Sequence, residues 1–486
     1  MGDSGRVNVL LAAPTSYLGR RLMLKFLTMP EIRLRVLVAD RRSLGGFPEG
    51  AVPEIVEGDL FDDEVLRRAA EGMNAAYFPV RFLGTDPEFD RRMKVFAAKF
   101  RDACAEGGAG RIVFLGVLTR KEARSETINA TIGVGEILSA LPDRIPTVWL
   151  RAGFILGSGS LLFEVLTNLV QKLPVLPPPR WMETRISVIG ARDLQEYLVQ
   201  AVGIPLSGNV EVEIGLPSRS LREMLTVTAR VMGLWRVFLP VPFNAKPLSP
   251  AVLMLLTPFS APLSAIFIRM LVAAGETHGN VPQENARRHF PGIVPATFEE
   301  VVARAVEAIG QEEVVSRWTD SIDPIAASVA EEKMSRSMFR DVRREDFGTV
   351  APEKIFRAVK SIGGKEGWFN FDVLWRIRGA MDKLAGGYGV SVGRRAGEDL
   401  RIGDVLDVWK VVDLREGKRL LLKAQMKVAG EAWLEFRIEG NTLVQTAYHY
   451  PKGLTGRLYW YAMVPFHAFI FRDMVRSIVR RAEGME

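Results

Sequence analysis

The feature that most constrains this chain is the alternation, through its first 150 residues, of short apolar runs with amphipathic runs of helix length. Val7–Ala12 (VNVLLA), Arg35–Ala39 (RVLVA), Glu54–Glu57, Ala75–Val80, Arg111–Leu115 (RIVFL) and a run closing at Trp149-Leu150-Arg151 read as strands. Gly19–Leu27, Asp63–Ala70, Arg91–Cys104 and Ile132–Leu138 lie between them, with apolar residues at helical spacing. Strands apolar on both faces and joined through helices predict βαβ units, because a parallel pair needs a crossover of about a dozen residues or more. The expected class is α/β, a doubly wound parallel sheet. Ser187–Leu194 reads as a strand running into a helix, and residues 195–310 as a substrate-side elaboration ending in the helix Glu299–Ile309. Residues 311–335 are polar and read as a linker after a first domain of residues 1–310.

Residues 336–486 carry another pattern. A strand near Ser337–Arg344 precedes two helices, Pro352–Ile362 and Phe371–Leu384. Alternating segments follow at Tyr388–Arg394, Asp404–Asp413, Arg419–Val428, Glu431–Glu439 and Thr442–Tyr450. Glu416-Gly417, Ala429-Gly430 and Gly440-Asn441 supply turns between them, so antiparallel hairpins are expected. One long helix, Leu458–Arg481, closes the chain. This order is that of a helix-grip (START-like) α+β fold, in which a curved sheet wraps a terminal helix around an apolar cavity. Trp368, Phe371, Trp375, Trp433 and Phe436 are the candidate lining of a cavity for a small hydrophobic molecule or lipid.

Composition narrows the function. The single cysteine, Cys104, rules out a disulfide framework, and with four histidines no metal centre is expected. The formal net charge of +7 falls wholly within residues 331–486, the first 330 being balanced. No basic-aromatic nucleic-acid motif accompanies that excess, so no nucleic-acid partner is expected. The start of the chain lacks a secretory signal, and the apolar stretch Leu248–Ile268 is interrupted by Pro250, Pro258 and Pro262. A cytoplasmic protein is expected, with peripheral membrane contact through residues 248–274 or 458–481. In the latter, Arg472, Arg476 and Arg480 recur every four residues after an apolar beginning.

A dinucleotide would bind at the first strand–turn–helix, where a glycine-rich turn lets pyrophosphate approach a helix N-terminus. Here the turn reads Ala12-Ala13-Pro14-Thr15-Ser16-Tyr17-Leu18-Gly19. It resembles the loop of the extended and atypical short-chain dehydrogenase/reductase superfamily, TGATGYIG, with Ala13 and Ser16 in place of two glycines and Gly19 kept. Gly133-Val134-Gly135-Glu136, Leu150-Arg151-Ala152-Gly153 and Gly157-Ser158-Gly159-Ser160 are similar to bacterial NAD(P)-binding proteins related to NmrA-like regulators and to the Rossmann-type accessory subunit of respiratory complex I. The resemblance implies a cofactor held by Ala13, Thr15, Ser16, Tyr17, Leu18, Gly19, Asp40, Arg41, Asp59, Leu60 and Pro79. Asp40 suits a free ribose 2′-hydroxyl, while Arg41-Arg42 suits a 2′-phosphate. NADP or NAD is therefore expected, with NADP favoured.

The superfamily's acid is a tyrosine in a Tyr-x-x-x-Lys pair, the lysine lowering the tyrosine pKa. Arg120–Leu138, the matching stretch, contains no tyrosine, and Gly116-Val117 stands where a serine is usual. Thr119, Ser125 and Thr127 are the remaining hydroxyl candidates. Residues 336–486 resemble a domain of unknown function that follows such modules in bacterial proteins, through Gly363-Gly364-Lys365-Glu366-Gly367-Trp368, Leu374-Trp375-Arg376 and Gly453-Leu454-Thr455-Gly456-Arg457. Two readings result. One is an atypical NAD(P)-dependent oxidoreductase or epimerase-like protein acting on a hydrophobic substrate without the usual pair. The other is a non-catalytic nucleotide-sensing or hydrophobic-ligand-binding protein.

Overall fold

The structure is a computed structural model. It describes residues 6–44, 47–48, 50–78, 87–118, 126–173, 175–176, 180–238, 267–268, 271, 283–311, 315–316, 339–363, 400–406, 408–425, 430–451 and 453–485. Most of residues 1–318 belongs to one compact unit, and residues 319–486 make up most of a second.

The first unit contains β1 (Val7–Ala12), α1 (Tyr17–Leu27), β2 (Ile32–Val38), β3 (Glu54–Glu57), α2 (Asp63–Ala70), β4 (Ala75–Phe78), α3 (Pro87–Glu106), β5 (Ile112–Val117), α4 (Glu126–Leu138) and β6 (Thr147–Ala152). After them come β7 (Phe154–Leu156), α5 (Leu161–Lys172), β8 (Val175–Leu176), β9 (Arg185–Ile186), β10 (Val188–Gly190), α6 (Ala191–Gln200), β11 (Val210–Ile214), β12 (Arg219–Ser220), α7 (Leu221–Val231), β13 (Val237–Phe238), α8 (Gln283–His289) and α9 (Phe298–Gly310). Seven strands form one parallel sheet in the order β11-β6-β5-β4-β1-β2-β3. The order reverses between β1 and β4, and there the carboxyl ends of neighbouring strands open a crevice. Val9, Leu10, Val36, Leu37, Ala75, Ala76 and Ile112 are fully buried, as a sheet covered on both faces requires. On one face Leu10, Phe78 and Phe114 join α2, α3 and α4 in a continuous core. On the other, the Tyr77 ring meets Phe26 of α1 edge-on, and its hydroxyl donates to Leu198 O of α6 at 2.5 Å. Shorter pairs, β7 with β10, β9 with β12 and β8 with β13, build the elaboration beyond the sheet.

The expected strands and helices are found, with shifted ends. α1 begins at Tyr17 rather than Gly19 because the Ser16 hydroxyl accepts from Gly19 N and caps the helix. Ser316, within the stretch read as linker, is docked on the first unit. Its hydroxyl donates to Tyr17 O at 2.8 Å and accepts from Arg21 Nε at 3.1 Å.

The second unit contains β14 (Phe339–Asp346), α10 (Pro352–Lys360), β15 (Val405–Leu406), β16 (Trp409–Arg415), β17 (Arg419–Ala424), β18 (Gly430–Glu439), β19 (Thr442–Pro451) and α11 (Gly453–Glu483). Its sheet is antiparallel, in the order β14-β19-β18-β17-β16-β15. Leu434, Phe436, Leu443 and Ala447 on one face pack with Ile355 and Val359 of α10 and with Phe471, Met474 and Ile478 of α11. The expected second helix, Phe371–Leu384, and the expected strand Tyr388–Arg394 lie outside the described residues.

Candidate nucleotide site

The β1–α1 loop sits beside the reversal of strand order. Ala13 has φ +51°, the left-handed region that glycine enters freely and other residues enter at a cost of about 1–2 kcal/mol. Among the described residues it is the single non-glycine there. The loop thus holds at Ala13 a backbone conformation that suits glycine. Ser16, in place of the second, is the N-cap, and its N–H donates to Ala13 O at 3.3 Å. Gly19 is needed for space. A Cβ there would overlap Ala13 O and come within 2.7 Å of Ser16 Oγ. Loop and helix are therefore in close backbone contact. With Gly19 N taken by Ser16, the first-turn N–H groups of Tyr17 and Leu18 have no acceptor within the helix and carry its positive end.

The Tyr17 side chain turns into the protein. Its hydroxyl donates to Ser158 O at 3.1 Å, and the Arg21 guanidinium lies over its ring and donates to the same carbonyl at 2.9 Å. Burial raises the pKa of Tyr17, although Arg21 pulls the other way, so the phenol stays protonated. The loop after β7 is thereby tied to α1. Sequence reading missed this tie; Gly157, where a Cβ would lie 3.2 Å from Tyr17 Oη, is its only local trace.

The other expected contacts fall at the carboxyl ends of β2 and β3. Asp40 lies two residues beyond β2 and is half-buried. Arg41 follows, with its N–H on Glu57 Oε1 at 3.1 Å and its guanidinium 3.6 Å from Glu57 Oε2. Asp59 is exposed, with one carboxylate oxygen accepting from Phe61 N at 3.0 Å and Leu60 beside it. Gly58 permits that turn because a Cβ would meet Val65 at 2.7 Å. Pro79, Thr119 and Ser125 lie outside the described residues, as does the side chain of Thr127.

Trp149 of β6 fills the space between β5 and α4 in the core of the first unit. A Cβ on Gly116 of β5 would overlap its Nε1, and one on Gly135 of α4 would overlap its six-membered ring. The indole is buried, and its N–H has no partner. Gly116 and Gly135 are the sequence signal, since two glycines in sheet and helix interiors indicate close approach.

In the second unit Trp433 and Phe436 are both buried, but the sheet does not bring them together. Trp433 packs with Val412, Leu421 and Tyr448, and Phe436 with the opposite face beneath α11. Positions three apart in a strand point to opposite faces. Trp368, Phe371 and Trp375 lie outside the described residues.

A family described only as a protein of unknown function (DUF2867) matches residues 334–474. No curated protein matches the chain. Among solved structures, the triphenylmethane reductase of a Citrobacter species has a TM-score of 0.50 at 15% identity, over 62% of this chain and 99% of that one. A nucleoside-diphosphate-sugar epimerase from Staphylococcus aureus has a TM-score of 0.48 at 14% identity, over 61% of this chain and 100% of that one. The first unit is Rossmann-like. At such identities the likeness speaks for the fold alone.

Proposed function

We propose that the first unit is an atypical short-chain dehydrogenase/reductase module that binds a nicotinamide dinucleotide across the β1–α1 loop. The observation that carries this reading is the backbone contact at Gly19, which holds the loop as a cradle at the reversal of strand order. Thr15 and the N–H groups of Tyr17 and Leu18 would hold the pyrophosphate, Asp40 the adenosine ribose and Asp59 the adenine. When bound, the cofactor would supply hydride chemistry. Asp40 and Glu57 surround the ribose end with carboxylates, and Glu57 already holds Arg41. This arrangement favours a free 2′-hydroxyl, hence NAD, over the NADP preferred on the arginines alone. Tryptophan quenching tests the site. NADH is expected to saturate the protein in the micromolar range, and the Gly19→Ala protein to show no saturation up to millimolar cofactor. Saturation of that variant at wild-type concentrations would refute the cradle.

Between the catalytic and non-catalytic readings, the absence of a tyrosine from Arg120–Leu138 supports the second. On this reading the module senses or carries nucleotide without Tyr-Lys chemistry. The second unit is read as START-like, a carrier of a hydrophobic ligand. Leu454, Leu458, Tyr461 and Val464 are exposed on α11 near Arg457, which supports peripheral contact with anionic lipid. Among the described residues no helix is long and apolar enough to cross a membrane. Steady NADH consumption with a hydrophobic carbonyl compound would overturn the non-catalytic reading.

A further inference from the structure

The buried face of the second sheet carries a polar group that the fold leaves unanswered. Gln445 of β19 is 1% exposed, and neither its amide oxygen nor its amide nitrogen has a hydrogen-bond partner. It alternates with Leu443 and Ala447, which pack beneath α11, and stands directly across from Phe436 of β18. On its other side the strand partner is Arg343 of β14. The Arg343 guanidinium donates through Nη2 to Asp341 at 3.0 Å, while its Nε is buried and without a partner. Two donor atoms and one acceptor therefore sit unmet on adjacent strands, with Phe436, Leu443 and Ala447 on one side and the partly exposed Arg343–Asp341 pair on the other. Buried amides in native proteins are almost always hydrogen-bonded, so one left open on both atoms marks a place for something that completes it.

We propose that Gln445 is the recognition point of a ligand site between the second sheet and α11, taking a molecule with an apolar body and a carboxamide or undissociated carboxyl head. Such a head accepts from Gln445 Nε2 and donates to Gln445 Oε1 at the same time, and its carbonyl has a second lone pair for Arg343 Nε. An ester or an ionised carboxylate lacks the donor. The inference rests on the reading of the second unit as a carrier and names what that carrier selects.

Calorimetric titration of the full-length protein with octanamide and with methyl octanoate tests it without any variant. Octanamide is expected to bind saturably and about tenfold or more tightly than the ester, the worth of one to two buried hydrogen bonds. Equal affinities would overturn the head-group claim and leave the carrier reading standing, whereas no binding of either would overturn both. Gln445→Met provides the second arm, because it keeps the volume and removes both polar atoms. It is expected to erase the preference for octanamide and to leave the ligand-free Tm equal or higher. A clear fall in Tm with the preference intact would show that the amide is answered within the fold, which overturns the proposal.

Discussion

Ala13 shows how a residue other than glycine can hold a backbone conformation that suits glycine. It holds φ +51°, a conformation that suits glycine, and the loop around it is fixed by Ser16 and Gly19. Restoring the glycine removes left-handed strain of about 1–2 kcal/mol and returns up to about 1 kcal/mol of unfolded-chain entropy. Ala13→Gly is therefore expected to stabilise the protein by about 0.5–1 kcal/mol, read as a rise in urea midpoint with unchanged slope. Asp40→Ala is expected to weaken NADH roughly tenfold and to leave NADPH nearly unaffected, measured by the same quenching titration, because a ribose hydroxyl loses its charged acceptor.

At the scale of elements, α4 lies close to β5 and β6 because Gly116 and Gly135 leave room for Trp149. Methyl groups at either glycine would have to displace an indole that is fixed within the core. Gly116→Ala is expected to cost about 2–3 kcal/mol by overpacking, and Gly116→Ala with Trp149→Leu to recover most of that loss. Denaturant midpoints of the two single variants and the double variant test this; simple additivity would show that the glycine and the indole are independent.

Over the whole molecule the two units differ in what they bury. In the first, Val9, Leu10, Leu37 and Ile112 make an apolar centre to the sheet. In the second, Arg419 bridges Asp413 at 2.9 Å and Glu435 at 2.6 Å in the interior, and the Tyr448 hydroxyl donates to Glu435 at 2.8 Å. Burial pushes the Glu435 carboxyl up, but Tyr448, Arg437 and Arg419 together bring it below its ordinary 4.5. Burial first, and then the Glu435 hydrogen bond, raise Tyr448 to about 12. His449, stacked on Trp460 with ring centroids 5.8 Å apart, is held below its ordinary 6.5 by burial. Both depressed groups favour folding above their unfolded pKa values. Stability of the second unit is thus expected to fall as pH drops below about 6.5, from His449, and again below about 4.5, from Glu435. Thermal scans by near-ultraviolet circular dichroism between pH 8 and 4 check the sign, and His449→Phe is expected to flatten the upper step.

The sequence by itself determined the class of both units, because apolar period and turn residues are local. Val7–Ala12, Glu54–Glu57 and Asp63–Ala70 are found where the pattern puts them, and the β18–β19 hairpin turns at Gly440-Asn441. The loop Ala13–Gly19 was legible for the same reason, its residues being neighbours in the chain. What depends on distant partners was not. That Ala13 keeps a glycine's backbone, that Glu57 takes Arg41, and that Ser316 docks on Tyr17 and Arg21 were decided only when separate segments met. The facing of Trp433 and Phe436 away from each other was implicit in strand alternation, but which face would carry the unanswered Gln445 was not. Register sets that, and register is settled by the packing of the whole sheet against its helices.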